Sequence, residues 1–146
     1  MTAGAAGNRQ GYRGYVTSRG FGGAKIPVPL QSLALRDYCA RHKLMYKLHV
    51  NENIFPRSYM VLEGMLHNLD GCQGIVMCSI FMLPKRPERR AKIFAEIFRQ
   101  GLEIRFTMED IVLARPEDVA PIEEILMVYN TLPHCPRTVP EAVPGQ

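Results

Sequence analysis

Residues 11–25, GYRGYVTSRGFGGAK, hold five glycines, Arg13, Arg19, Lys25 and the pair Thr17-Ser18. Cations and hydroxyls among glycines are what an anion needs. Arginine suits two-pronged contact with phosphate or carboxylate. Gly22 and Gly23 would let backbone N–H groups approach, and a following helix would add its positive end. The competing reading is a plain glycine-rich connection. Two carboxylates, Glu52 and Glu109, could move protons if a pocket raised their pKa, with the Ser18 hydroxyl beside Arg19 as a third candidate catalytic group. Arg57, Ser58 and Ser79 complete the candidate contacts to substrate.

Other chemistries lack their residues. There is no GxxxxGK[ST], no GxGxxG and no GxSxG, so nothing points to ATP, a dinucleotide or an α/β-hydrolase triad. His49 and His67 suit structural positions better than catalysis. The four histidines and four cysteines do not space as ligands, so neither a metal nor a cofactor is expected. Cys39, Cys72, Cys78 and Cys135 read as reduced thiols of a cytoplasmic protein.

Alternating elements must position these groups. Strands are predicted at 14–18, 44–50, 74–83 and 103–109, with a short fifth at 111–114. Helices are predicted at 29–42, with Leu30, Leu33, Ala34 and Tyr38 inward, and at 58–69, with Ser58 as N-cap. A third spans 87–101 with Ile93, Phe94, Ile97 and Phe98 buried, and the last spans 116–132. Alternation of this kind predicts right-handed crossovers and an α/β fold: a three-layer α/β/α sandwich, flavodoxin-like or Rossmann-like, with four to five mostly parallel strands. Ligands of such sheets bind at the strand carboxyl ends. The candidate residues lie in the carboxyl-terminal halves of the predicted strands or follow them, except Arg13, which precedes the first.

The chain has 146 residues, a formal charge of +4 and 47% hydrophobic residues. One domain over 11–132 is expected, between a flexible N-terminus (1–10) and a flexible proline-rich C-terminus (133–146). The charge suits an anionic small molecule, and nucleic acid is not the expected partner. The run Lys85, Arg86, Arg89, Arg90 reads as a solvated loop and helix start, with a phosphate-contacting patch as the alternative. No stretch reaches the ~18 apolar residues of a membrane span. A homo-oligomer is expected, since small α/β domains often complete a pocket across a two-fold axis.

Two resemblances follow from longer blocks. YVTSR (15–19), LRDYCARH (35–42), NENIFPR (51–57), LEGMLHNLDG (62–71) and IVMCSIFMLPKR (75–86) resemble, in order, the catalytic domain of serine recombinases. Ser18 and Arg57 fall near positions that family uses. Its Asp-Arg pair and following Arg, however, would lie around Ile80, Phe81 and Met82 to Lys85. Apolar residues stand where the Asp and first Arg are needed, so the guanidinium cluster needed for phosphoryl transfer to serine is incomplete. The resemblance implies the fold and argues against strand exchange.

Residues 11–39 together with Tyr59–Glu63, GIVMCSIFMLP (74–84) and EIRFTMED (103–110) are similar to the sporadic carbohydrate cluster family. These are small bacterial proteins from gene clusters for surface polysaccharides and related sugar products. That resemblance spans residues 11–132 and implies a pathway context without assigning residue roles. The expectation is an enzyme that isomerises, epimerises or dehydrates a phosphorylated or nucleotide-linked sugar by acid–base chemistry. A non-catalytic binding or assembly module of the same pathway is the alternative. A resolvase-like nucleic-acid-binding protein is the third reading.

Overall fold

A computed structural model describes residues 9–52 and 59–131. The chain runs β1 (Tyr12–Thr17), α1 (Val28–Arg41), β2 (Tyr46–Glu52), α2 (Met60–Met65), β3 (Gly74–Met77), a 3-10 turn (Ile80–Met82), α3 (Pro87–Gln100), β4 (Glu103–Phe106), β5 (Ile111–Leu113), a second 3-10 turn (Pro116–Asp118) and α4 (Val119–Thr131). The strands form one sheet ordered β2-β1-β3-β4-β5. All neighbours are parallel except β4 and β5. This is a three-layer α/β fold in the flavodoxin strand order, closed at one edge by an antiparallel strand.

Side-chain contacts assign the layers. Arg105 of β4 donates to the Tyr38 hydroxyl of α1 on one face. On the other face, Glu52 of β2 accepts from the backbone of α2. Arg89 of α3 pairs with Glu63 of α2, so α2 and α3 share that face. Arg90 of α3 ties down α4 through Glu123.

The local reasons are visible in the residues. α3 opens on Pro87, carries Glu88 in its first turn and Arg99 in its last, and ends at Gly101 with φ 70°. Each feature fits a helix terminus. Ile93, Phe94 and Ile97 are buried as the spacing predicts, and Phe98 packs partly buried against the core. Gly74 has a different task. A Cβ there would lie 1.9 Å from the Glu103 carbonyl oxygen, so only glycine admits the close approach of β3 to β4.

Several boundaries differ from expectation. α1 buries Gln31, Leu35, Tyr38 and Cys39, while Leu30 and Leu33 are exposed. The Gln31 amide sets that rotation. Its Nε2 donates to the Thr17 and Ile26 carbonyls at 2.6 and 2.7 Å, and its Oε1 accepts from the Thr17 N–H at 3.1 Å. α2 is one short piece rather than a helix over 58–69, although Leu62, Met65, Leu66 and Leu69 are all buried. Its N-cap is Tyr59, and Ser58 lies outside the described residues. β3 stops after four residues because the Ser79 side chain accepts from the Phe81 N–H and starts a 3-10 turn. Of the predicted flexible termini, 1–10 and 133–146, residues 1–8 and 133–146 lie outside the described residues, while Gln10 donates its backbone N–H to the Gly71 carbonyl at 2.8 Å. Among the described residues no helix is long and apolar enough to cross a membrane.

Tyr12 yields a pH prediction. Burial, reinforced by its 2.6 Å hydrogen bond to Glu103, pushes its phenol up to about 12 from the ordinary 10.0. Above pH 10 the unfolded chain releases this proton while the folded chain keeps it. The stabilisation is therefore complete below pH 10 and is lost as pH rises towards 12. Urea midpoints should fall over that window. Tyr12→Phe should flatten part of the fall, the rest coming from other buried groups: Tyr15, whose phenol burial and the neighbouring Glu52 also push up, and Tyr46 and Cys78, which burial raises. An unchanged slope in the variant would remove Tyr12 from this account.

Candidate functional site

The 2-1-3-4-5 order reverses direction between β1 and β3, where open α/β sheets leave a crevice at the strand carboxyl ends. A cavity of about 1080 Å³ opens there. The segment after β1 supplies Arg19 to Lys25. The segment after β3 supplies Phe81 and Leu83 to Arg86. Arg89 and Arg90 come from α3, Tyr59 from the start of α2, and Leu126, Tyr129 and Asn130 from α4.

Six lining residues are cationic: Arg19, Lys25, Lys85, Arg86, Arg89 and Arg90. Among the described lining residues none is Asp or Glu. Arg90 is neutralised from behind by Glu123, and Arg89 pairs with Glu63. Lys25, Lys85 and Arg86 form no salt bridge among the described residues. Tyr59 organises one end. The Arg19 guanidinium sits 4.2 Å from its ring centroid and that of Arg89 5.3 Å, both within cation–π range. Arg19 also reaches the Tyr15 hydroxyl at 3.4 Å.

The glycine-rich segment makes a tight hairpin rather than an open cradle. Phe21 and Ala24 exchange backbone hydrogen bonds at 2.8 and 3.0 Å around Gly22 (φ 61°) and Gly23 (φ 80°). Two successive positive φ values are what a type I′ turn requires, so the glycines are needed for the turn itself.

The structure separates the predicted site residues into groups. It brings Arg19, Gly22, Gly23 and Lys25 to the cavity. Ser18 is exposed, forms no part of the lining, and donates its backbone N–H to the Glu52 carbonyl. Arg13 lies within β1, donates to the Leu48 carbonyl at 3.2 Å, and borders a separate hollow with Val50, Val61 and Asn68. Arg57 and Ser58 lie outside the described residues.

Glu52 ends β2 instead of opening the loop after it, and is buried. Its carboxylate accepts from the Tyr15 hydroxyl at 2.8 Å and from the Val61 and Leu62 N–H groups, each at 3.0 Å. Glu109 accepts from the Ser79 hydroxyl at 2.5 Å and the Ile80 N–H at 3.1 Å, so the two residues join the β4–β5 turn to the 3-10 turn. Neither carboxylate lines the cavity. Among the described residues no three His, Cys, Asp or Glu side chains group to hold a metal ion.

Tyr59 and Tyr129 are absent from the site the sequence predicts, and Arg89 and Arg90, expected to face solvent, line the cavity. The usable signal was the basic run itself. It follows a buried strand of a parallel sheet, where the chain must pass over the strand carboxyl ends.

No protein-family model matches the chain, and no curated protein matches it significantly. Among solved structures, the chain is similar to one described as "Crystal Structure of the N-terminal Catalytic Domain of TP901-1 Integrase". The TM-score is 0.57 with 12% identity, over 84% of this chain and 96% of that one. At that identity the likeness concerns the fold alone: the chain shares the fold of a serine recombinase catalytic domain.

Proposed function

We propose that the cavity at the β1–β3 reversal binds a phosphorylated or nucleotide-linked sugar. One observation carries the anionic part of this reading: six cationic residues and, among the described residues, no carboxylate line the same space. Cations gathered around one concave space raise the local potential and favour an anion. The sugar rests on the resemblance to the carbohydrate cluster family.

The positions of Glu52 and Glu109 favour a ligand-binding module over an acid–base enzyme. Both carboxylates accept hydrogen bonds from backbone and hydroxyl groups inside the fold. Catalysis of the isomerase, epimerase or dehydratase type would show itself as deuterium incorporation into the ligand from heavy water. Exchange lost in Glu109→Gln would restore the enzymatic reading.

A thermal-shift panel of sugar phosphates, nucleotide sugars and inorganic phosphate tests binding. Stabilisation is expected from at least one phosphorylated class. Arg86→Ala, at an exposed residue with no ion pair among the described residues, should weaken that ligand about tenfold, the scale of one lost charge-assisted contact. Its own melting temperature should stay near wild type. Stabilisation by no phosphorylated compound would reject the proposal.

A further inference from the structure

We infer that the ligand carries an aromatic base as well as phosphate, and that the cavity takes a nucleoside diphosphate, alone or joined to a sugar. This rests on the anion reading of the same cavity and selects a class within it. Three observations support it.

The first is size. Pockets for small organic ligands run to roughly 300–1,000 Å³. At about 1080 Å³, this cavity would leave a hexose phosphate loosely held.

The second is charge. Lys25, Lys85 and Arg86 add to the Arg19 and Arg89 pair stacked on Tyr59. A monophosphate dianion is matched by two cations, whereas a diphosphate can engage more of this set.

The third is the second aromatic wall. The Phe81 and Tyr129 rings meet at 4.6 Å between centroids, tilted by 52°, and Tyr129 keeps 36% of its surface exposed. Among the described residues no cation stacks on either ring, unlike Tyr59. Leu83 and Leu126 extend this apolar side. The glycine turn holds the pair in place. A Cβ at Gly22 would lie 3.3 Å from the Phe81 ring, and one at Gly23 3.2 Å from the Tyr129 hydroxyl. The cavity thus has a cationic end and an aromatic side. A nucleoside diphosphate has the matching halves, because its base presents a flat π-face and its diphosphate the charge.

Calorimetric titration of the whole chain with inorganic pyrophosphate, glucose 1-phosphate, uridine diphosphate, adenosine diphosphate and an eight-residue oligothymidylate tests this. At least one nucleoside diphosphate should bind about tenfold tighter than pyrophosphate, the gain expected from stacking one base. Tyr129→Ala should remove that gain and keep the pyrophosphate affinity. Tyr129→Leu, which keeps apolar bulk at the position, should lose the gain as well. Equal affinity for pyrophosphate and both nucleotides would overturn the base site and leave the anion reading standing. So would a nucleotide gain untouched by either variant. Tightest binding by glucose 1-phosphate would mean that a sugar occupies the aromatic wall, and tightest binding by the oligonucleotide would mean a strand-binding groove. Either result overturns the inference. Binding of none of the five would overturn both it and the anion reading.

Discussion

Arg90→Ala is expected to lower the unfolding free energy by about 3 kcal/mol, the low end for breaking a buried ion pair. The Arg90 guanidinium is almost wholly buried and satisfied from three directions. Its Nε and Nη2 donate to the two Glu123 oxygens at 2.8 and 2.5 Å. Its Nη1 donates to the Pro84 and Lys85 carbonyls at 3.0 and 2.8 Å. Alanine would leave those carbonyls and the carboxylate without their donor and open space beneath them. The low end applies because the Glu123 side chain is 31% exposed and can turn towards water. Glu123→Ala should cost less, about 2 kcal/mol, since the two backbone acceptors still hold the guanidinium. Urea unfolding would show both effects as lower midpoints at unchanged slope. A loss below about 1 kcal/mol for Arg90→Ala would mean that the pair does not hold α4 and the Pro84–Lys85 bend in place. The consequence reaches function, because that bend carries Lys85 and Arg86 into the cavity.

Glu52→Ala is expected to cost a similar amount, about 3 kcal/mol. The buried carboxylate serves two N–H groups at the start of α2 and the Tyr15 hydroxyl. Each buried donor left without an acceptor costs roughly 1–3 kcal/mol, and relaxation recovers part of the sum. α2 spans only six residues and cannot stand on propensity, so its start depends on such an acceptor. Glu52→Gln keeps one acceptor oxygen but turns an NH₂ towards groups that are themselves donors. It should fall between wild type and alanine. Stability and ligand binding separate at this residue, because Glu52 does not line the cavity. In the folded fraction of Glu52→Gln, affinity for a phosphorylated ligand should remain near wild type. Normal stability with abolished turnover would instead identify Glu52 as the general base.

The sequence carried the alternation of elements, and α3 came through almost residue by residue. Its apolar positions repeat at helical spacing, and proline and glycine mark its ends. α1 was misoriented because a glutamine is an unexpected core residue. Only the Thr17 and Ile26 backbone partners explain why Gln31 turns inward and Leu30 and Leu33 do not. β3 was predicted too long because its apolar run continues past Met77. Burial continues with it, but Ser79 bends the backbone. The site was half legible. Arg19, Gly22, Gly23 and Lys25 follow β1 and reach the cavity, because whatever follows that strand must cross the strand ends. The aromatic groups were not legible, since Tyr59 and Tyr129 come from distant helices and meet the glycine turn only through tertiary packing. Glu52 attracted a catalytic reading by its place near a strand end. Its burial against the start of α2 cannot be seen from spacing alone.

The cavity at the β1–β3 reversal is proposed as the place where a phosphorylated ligand binds. The most direct test is a two-dimensional ¹H–¹⁵N spectrum of the labelled chain, recorded with and without uridine diphosphate. Shifts are expected to concentrate at Gly20–Lys25, at Phe81, Leu83, Lys85 and Arg86, and around Tyr129. Shifts centred on Arg13, Val50 and Asn68, or no shifts at millimolar ligand, would contradict the proposal.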